Sequence, residues 1–205
     1  MDKKQDTNKN IVLVIFVEGQ TDKEFYKKMI AYIKSQNPDK DLKECKIKNL
    51  NSVTHYNKAP SIFENEIAPK YKGAEFKIIC SYDYDAFQNL CSIKPPVNWP
   101  KLKKQLNSNN KIINVYEIKA YDSIEDWFLK DMTGLCKYLG STKIYKLKDL
   151  QGTTGEKKMK DLFKRNSKIY QKGYNTRNFI DYLDFEVLYN SLEKELEPLK
   201  KCMFI

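Results

Sequence analysis

"IVLVIFVEGQTDKEFYKKMIAYI", residues 11–33, changes within a few positions from wholly apolar to acidic and then to amphipathic. The opening run of β-branched and apolar residues is typical of a strand that is buried on both faces of a parallel sheet. Beyond it, Phe25, Met29 and Ile33 recur at helical spacing. Thr21 is the predicted N-cap of this helix, and Glu24 would complete a capping box. The stretch therefore predicts a strand, a turn and a helix.

Strand and helix patterns alternate along residues 11–139. Further strands are predicted in "KECKIKNL", "AEFKIICSY" and "KIINVYEIKA", and further helices in "SIFENEIAPKYK", after Pro100, and in "SIEDWFLKDMTGLCKYL" with Ser123 as N-cap. This alternation predicts an α/β fold in which helices flank a mostly parallel sheet. We divide the chain into a disordered tail (1–10), the α/β domain (11–140) and a basic helical C-terminal extension packed on it (141–205). The extension carries a predicted apolar stripe of Met159, Leu162, Phe163, Ile169 and Tyr170.

The charge of the chain favours a polyanionic partner. Its 205 residues include 37 basic and 27 acidic side chains, a net charge of +10, and half of that surplus lies between Glu156 and Gly173. Lys and Arg bind nucleic-acid phosphates with release of counterions, although a lysine-rich composition can also reflect an AT-rich genome. If the apolar stripe docks on the α/β domain, four basic residues of the extension stay free to bind phosphates. These candidate nucleic-acid-binding residues are Lys164, Arg165, Lys168 and Lys172.

Several classes of protein are disfavoured. The five cysteines form no CxxC pair, which argues against a zinc ribbon or a disulfide framework, and the single His55 argues against a Ser-His-Asp triad. No GxxxxGK[ST] phosphate loop supports a nucleotide phosphotransferase. No apolar run approaches the roughly 20 residues of a membrane span, and the first residues do not resemble a signal peptide. We therefore expect a cytoplasmic protein with no membrane association.

Acidic side chains follow two of the predicted strands. Glu18 ends the first apolar run, and "SYDYDAF" places Asp83 and Asp85 after "FKIIC". Ligands of open α/β sheets collect at the carboxyl ends of the strands, and Asp22 can lean back towards the same edge from the first helical turn. Oxygen ligands of this kind suit Mg²⁺ or Mn²⁺, although DxD is also a common surface sequence. The pattern favours a metal site at this edge.

The strand-terminal Glu-Gly with the later DxD resembles the TOPRIM (topoisomerase-primase) domain over roughly residues 11–120. Topoisomerases need a separate tyrosine-bearing domain, and the related primases and recombination mediators carry zinc-binding cysteines, which are absent here. The chain is therefore most similar to the small TOPRIM nucleases: the OLD-family nuclease domain, stand-alone proteins of anti-phage defence operons, and ribosomal-RNA maturases. "SIEDWFLKD" and "GEKKMKDLFKR" are similar to the defence-associated group.

The resemblance implies a metal-dependent nuclease, a hydrolase that cuts phosphodiester bonds of DNA or RNA, tRNA included, with two Mg²⁺ or Mn²⁺ ions. Its metal ligands would be Glu18, Asp22, Asp83, Asp85 and Glu125, with Asp126 as a substitute for Glu125. Glu18, Asp83 and Asp85 would be catalytic, and Lys157 or Lys158 would offset developing negative charge. Such an enzyme would act in antiviral defence under a regulatory partner such as an ATPase, and a homodimer is compatible with it. The alternative is a non-catalytic TOPRIM-like module that binds nucleic acid or a partner protein.

Overall fold

A computed structural model describes residues 10–40, 44–84, 97–121, 123–173 and 176–204. Its centre is a four-stranded sheet of order β2-β1-β3-β4 in which every neighbouring pair is parallel. The strands are β1 (Ile11–Val17), β2 (Glu44–Asn49), β3 (Glu75–Asp83) and β4 (Ile112–Ala120). All four therefore end at the same edge of the sheet. The predicted α/β class, with a parallel sheet flanked by helices, is confirmed.

The helices of the described ranges lie on both faces of the sheet. They are α1 (Gln20–Ser35), α2 (Ala59–Ile62), α3 (Trp99–Asn107), α4 (Ile124–Phe128), α5 (Met132–Leu139), α6 (Gly155–Arg165), α7 (Thr176–Ile180), α8 (Phe185–Ser191) and α9 (Glu197–Met203). Among these helices, none is both long enough and apolar enough to cross a bilayer.

Two hydrophobic cores cover the two faces of the sheet. Leu13 and Ile15 of β1 belong to the core formed with α1 and the C-terminal helices α6 to α9. Val12 and Val14 belong to the opposite core, formed with α3 and residues 53–70. This division follows from the alternation of side chains along a strand, and it explains why β1 has no polar face. The C-terminal helices therefore share a core with the sheet.

Two local predictions were wrong, and a third holds in part. The helix expected over residues 61–72, with Pro69 disturbing its last turns, is a continuous run of helical turns over residues 59–70, in which a π-helical turn, Phe63–Ile67, separates α2 from a 3-10 turn at Pro69. The helix expected from residue 124 to 139 is split into α4 and α5, because the Asp131 side chain accepts from Gly134 N at 2.9 Å and starts a new helix. Ile169 is 91% exposed and lies outside the apolar stripe, because α6 ends at Arg165.

The start of α1 also differs from the prediction. The N-cap is Gly19, so Thr21 lies inside the helix and does not cap it. The Glu24 carboxylate contacts the side chains of Gln20 and Lys27 and forms no capping box with Thr21. The Thr21 hydroxyl instead accepts a hydrogen bond from Gly173 N at 3.1 Å. The first turn of α1 is thus tied to a segment of the chain 152 residues away.

Candidate metal site

Neighbouring strands bring Glu18 and Asp83 together. Glu18 follows β1 directly, Asp83 is the last residue of β3, and these strands are paired in parallel. The backbone N–H of Asp83 donates to Oε1 of Glu18 at 2.8 Å. Two predicted ligands are therefore joined at the carboxyl edge of the sheet.

Two helix starts contribute further carboxylates. The backbone N–H of Ile124 donates to Oδ1 of Asp83 at 2.9 Å, which fixes the start of α4 and with it Glu125, whose side chain is fully buried. Asp22, in the first turn of α1, is 2% exposed. A Cβ added at Gly19 would lie 3.2 Å from Oδ2 of Asp22, so the turn after β1 passes close to this carboxylate. We call Glu18, Asp22, Asp83 and Glu125 the acid cluster.

Among the described residues, Lys172 contacts the acid cluster as a cation. Its Nζ lies 2.5 Å from Oδ2 of Asp83 and 3.5 Å from Oε2 of Glu125. Burial lowers the pKa of Lys172, but the carboxylates of Asp83 and Glu125 outweigh burial and raise the pKa above its ordinary value. Lys172 therefore stays charged and serves as a counter-ion within the site. Lys172 is thus paired within the chain, while phosphate binding by this residue stays a prediction.

Lys157 and Lys158 lie in the first turns of α6, where Lys157 N donates to the capping hydroxyl of Thr154. In the described part of the chain, Lys172 forms an ion pair with the acid cluster, and Lys157 and Lys158 do not. Asp126, the substitute for Glu125, interacts with the Ser123 hydroxyl at 3.1 Å. A Cβ at Gly155 would lie 2.6 Å from Cγ of Asp126, so this side chain packs against the start of α6.

Two buried carboxylate oxygens in the cluster, Oδ2 of Asp22 and Oε2 of Glu125, accept no hydrogen bond from the described residues, although Oε2 of Glu125 lies 3.5 Å from the Lys172 ammonium. Burial and the charge of Asp83 raise the pKa of Asp22 well above its ordinary value. Among the described residues, the four carboxylates of the cluster stand near the one ammonium group of Lys172, and carboxylate oxygens are the ligands that a hard divalent cation prefers. The residues present therefore fit such a cation. Within the described ranges, however, no three acidic, His or Cys side chains are arranged to hold an ion as they stand. Asp85 lies outside those ranges.

Residues 170–173, in the C-terminal part of the chain, contact the acid cluster and the start of α1, although local sequence patterns did not assign them to the site. The Tyr170 hydroxyl donates to Oε1 of Glu125 at 2.7 Å, Lys172 pairs with Asp83, and Gly173 N donates to Thr21. We call residues 170–173 the strap. These contacts join residues 45 or more positions apart, so no local motif could have indicated them.

Most of the predicted nucleic-acid-binding residues have partners within the chain. Nε of Arg165 pairs with Asp161 at 2.8 Å, and Nζ of Lys168 donates to the carbonyl of Tyr138 at 2.8 Å. Lys164 is exposed on α6. The expectation that these residues are all free was therefore wrong for Arg165, Lys168 and Lys172, while phosphate binding by this surface stays a prediction.

An open cavity of about 380 Å³ lies beside the acid cluster, lined by Glu18, Asp22, Lys172 and the loop that follows β2. Comparisons with protein-family models, with curated proteins and with solved structures found no match. The resemblance of residues 11–120 to the TOPRIM domain therefore stays a prediction.

Asp22→Asn should stabilise the metal-free protein at neutral and alkaline pH. The pKa of Asp22 is raised on folding. The folded state is therefore most stable below about pH 4, where Asp22 is protonated, and it loses stability as the pH rises through the raised pKa. Asn removes this penalty. We expect a melting temperature several degrees above wild type at pH 8 in EDTA, with the difference shrinking towards pH 4. Circular dichroism would measure it, with exposed Asp39→Asn as control. A difference in melting temperature that does not change with pH would contradict the raised pKa of Asp22.

Tyr170→Phe should destabilise the protein by about 1–3 kcal/mol, because Glu125 would lose the donor to its fully buried carboxylate. Urea unfolding would measure the loss. Tyr182→Phe is the matched control, since Tyr182 is 47% exposed. Equal losses in the two variants would show that the hydroxyl of Tyr170 has no special role at Glu125.

Proposed function

We propose that the chain is a TOPRIM-like, metal-dependent nuclease that hydrolyses phosphodiester bonds of DNA or RNA. The observation that carries the proposal is the acid cluster: four carboxylates from two strand ends and two helix starts, with two buried oxygens that accept no hydrogen bond from the described part of the chain. Glu18, Asp22, Asp83 and Glu125, together with Asp85, would hold Mg²⁺ or Mn²⁺. The ions would supply activation of a water molecule and stabilisation of the leaving oxygen.

Residues of the chain itself support this chemistry. The backbone N–H of Asp83 orients the Glu18 carboxylate, Ile124 N orients that of Asp83, and Tyr170 orients that of Glu125. The carboxylates are therefore held in place before any ligand binds. Lys172 carries a persistent positive charge at the same point and is 39% exposed, so its ammonium can reach a phosphate oxygen in the adjoining cavity. We assign to Lys172 the charge-offsetting role that the sequence suggested for Lys157 or Lys158.

The proposed substrate follows from charge. A chain of net charge +10 attracts nucleic acid despite the acidic site, and the exposed basic side chains of α6 can contact phosphates beside it. The test is incubation of the purified chain with labelled single-stranded RNA, tRNA, and single- and double-stranded DNA. Cleavage of at least one substrate with Mg²⁺ or Mn²⁺, and none with EDTA, is expected. No cleavage of any of them with either ion would count against the proposal.

A second candidate is a non-catalytic module that binds nucleic acid or a partner protein. Lys172 favours it, because this ammonium already compensates Asp83 and Glu125 without any metal. The module predicts salt-sensitive binding that is equal with Mg²⁺ and with EDTA, persists in Asp83→Asn and is not followed by cleavage.

We further propose, from the resemblance alone, that the nuclease acts in the cytoplasm as an effector of anti-phage defence under a regulatory partner such as an ATPase. An unregulated nuclease would damage the host's own nucleic acid. Affinity purification from the native host, before and during phage infection, tests this idea. Recovery of the chain alone in both cases would count against a partner.

A further inference from the structure

The four carboxylates of the acid cluster lie on two sides of the Lys172 ammonium. Glu18 and Asp22 line the open cavity of about 380 Å³, and so does Lys172. The side chains of Asp83 and Glu125 are 5% and 0% exposed, and neither belongs to the lining of this cavity. Both of them are contacted by Nζ of Lys172. The ammonium therefore stands between two carboxylates that face the cavity and two that are covered.

On the covered side, each carboxylate has one oxygen fixed by the protein and one beside the ammonium. Oδ1 of Asp83 accepts from Ile124 N at 2.9 Å, and Oδ2 lies 2.5 Å from Nζ of Lys172. Oε1 of Glu125 accepts from the Tyr170 hydroxyl at 2.7 Å, and Oε2 lies 3.5 Å from the same Nζ. A divalent ion shared by two carboxylates would contact one oxygen of each in the same way. On this side the chain supplies the cation itself.

On the cavity side, Asp22 presents an oxygen that suits a metal ion. Its side chain is buried, yet Oδ2 accepts no hydrogen bond from the described residues. Glu18, which lines the same cavity, is held through Oε1 by Asp83 N at 2.8 Å. Mg²⁺ commonly binds through one or two carboxylates and keeps several of its waters. Two carboxylates beside an open cavity are therefore enough for one ion, although no three acidic side chains of the described ranges are arranged to hold one.

We propose that the Lys172 ammonium takes the place of a second ion, so that the chain binds a single divalent cation through Glu18 and Asp22 on the cavity side. The proposal rests on the proposed metal-dependent function and departs from the two ions that the TOPRIM resemblance implies. The fixed charge of the lysine would then offset charge on the phosphate, as the other ion does in a two-metal site.

The proposal refines the roles of Asp83 and Glu125, which would bind the ammonium in place of a second ion. Lys172 also interacts electrostatically with Asp22. An ammonium released from Asp83 would therefore compete with the metal ion for the Asp22 carboxylate. Weaker metal binding by Asp83→Asn is expected for this reason as well.

The experiment counts the Mn²⁺ ions that bind to the full, metal-free chain in the absence of nucleic acid. Electron paramagnetic resonance measures the free Mn²⁺ that remains. The spectrum of the bound Mn²⁺ shows whether two ions are neighbours, because ions in two-metal sites lie roughly 3.5–4 Å apart and couple magnetically. We expect wild type to bind one ion with an uncoupled spectrum. A second ion bound weakly elsewhere on the surface would not produce coupling.

A variant that lacks the ammonium should gain the second ion. Lys172→Met keeps the length of the side chain but removes its charge, and we expect two bound ions with a coupled spectrum. Lys34→Met is the matched control and should bind as wild type, because Lys34 is exposed in the last turn of α1, at the end of the helix away from the acid cluster. Circular dichroism must show that Lys172→Met is folded, and the wild-type count tests the proposal without any variant.

The outcomes separate this proposal from the nuclease. A coupled pair of ions in wild type would overturn the single-ion site, and so would a folded Lys172→Met variant that still binds one ion. No bound Mn²⁺ in wild type would overturn it together with the metal site. One uncoupled ion in wild type and a coupled pair in Lys172→Met, without cleavage of any substrate, would support the single-ion site and reject the nuclease. Cleavage by a wild-type chain that binds a coupled pair would leave the nuclease standing.

Discussion

Asp83→Asn is expected to lower the rate of metal-dependent phosphodiester cleavage by at least about 100-fold, since even the outer partners of metal ligands are commonly worth 10- to 100-fold. Asp83 lies at the centre of the acid cluster: its backbone binds Glu18, and its carboxylate accepts from Ile124 and pairs with Lys172. Asn keeps an acceptor oxygen for Ile124 but removes the charge that a cation requires. The measurement is the single-turnover cleavage rate in Mg²⁺ and in Mn²⁺.

Asp39→Asn, which changes an exposed carboxylate, is the control and should cut at the wild-type rate. Circular dichroism must show that Asp83→Asn is folded, so that a lost rate reports the site. If a folded Asp83→Asn variant cut as fast as wild type, the acid cluster would have no part in the cleavage reaction.

Lys172→Gln is expected to lower both the stability of the protein and its activity. Without the ammonium, Asp83, Glu125 and Asp22 repel one another in a buried setting. Breaking a fully buried ion pair costs about 3–5 kcal/mol, but Lys172 is 39% exposed and solvent screens it, so we expect about 1–2 kcal/mol at pH 7. That is a fall in melting temperature of roughly 2–8 °C for a chain of this size.

The pH dependence of this loss has a definite sign. The pKa of Lys172 is raised on folding, so its stabilisation is fully present at neutral pH and is lost only in strongly alkaline solution. The difference between Lys172→Gln and wild type should shrink in acid, where the carboxylates are protonated, and Mg²⁺ should raise the melting temperature of the variant more than that of wild type. Lys164→Gln, an exposed residue of α6, is the control. A loss independent of both pH and Mg²⁺ would contradict the counter-ion role.

The sheet and three members of the acid cluster, Glu18, Asp22 and Asp83, were predictable from local patterns. The apolar run of β1 and the acid that follows it required only strand periodicity, and the parallel arrangement then placed Glu18 and Asp83 at one edge. Glu125 was suggested by resemblance to TOPRIM nucleases, and Ile124 N brings its helix against Asp83. Each of these acidic residues lies at the end of a strand or at the start of a helix that meets the sheet, so a short stretch of sequence is enough to indicate its position.

The strap was not predictable in the same way. Lys172 looked like one more basic residue near the end of a cationic stretch, and Tyr170 like part of an apolar stripe, because their partners lie 45 to 89 positions away. Helix breaks were missed for a related reason, since a side-chain cap such as Asp131 competes with helical periodicity without changing it. The positions of such residues depend on long-range tertiary contacts, and a single sequence carries no local signal for those contacts.

Binding of Mn²⁺ to the metal-free chain, followed by electron paramagnetic resonance, tests the central claim most directly, because it needs no knowledge of the substrate. The acid cluster predicts loss of the free Mn²⁺ signal with one or two ions bound per wild-type chain, competition by Mg²⁺, and much weaker binding by Asp83→Asn. A free Mn²⁺ signal that the wild-type chain does not reduce, or reduces as much as Asp83→Asn does, would contradict a metal site at the acid cluster.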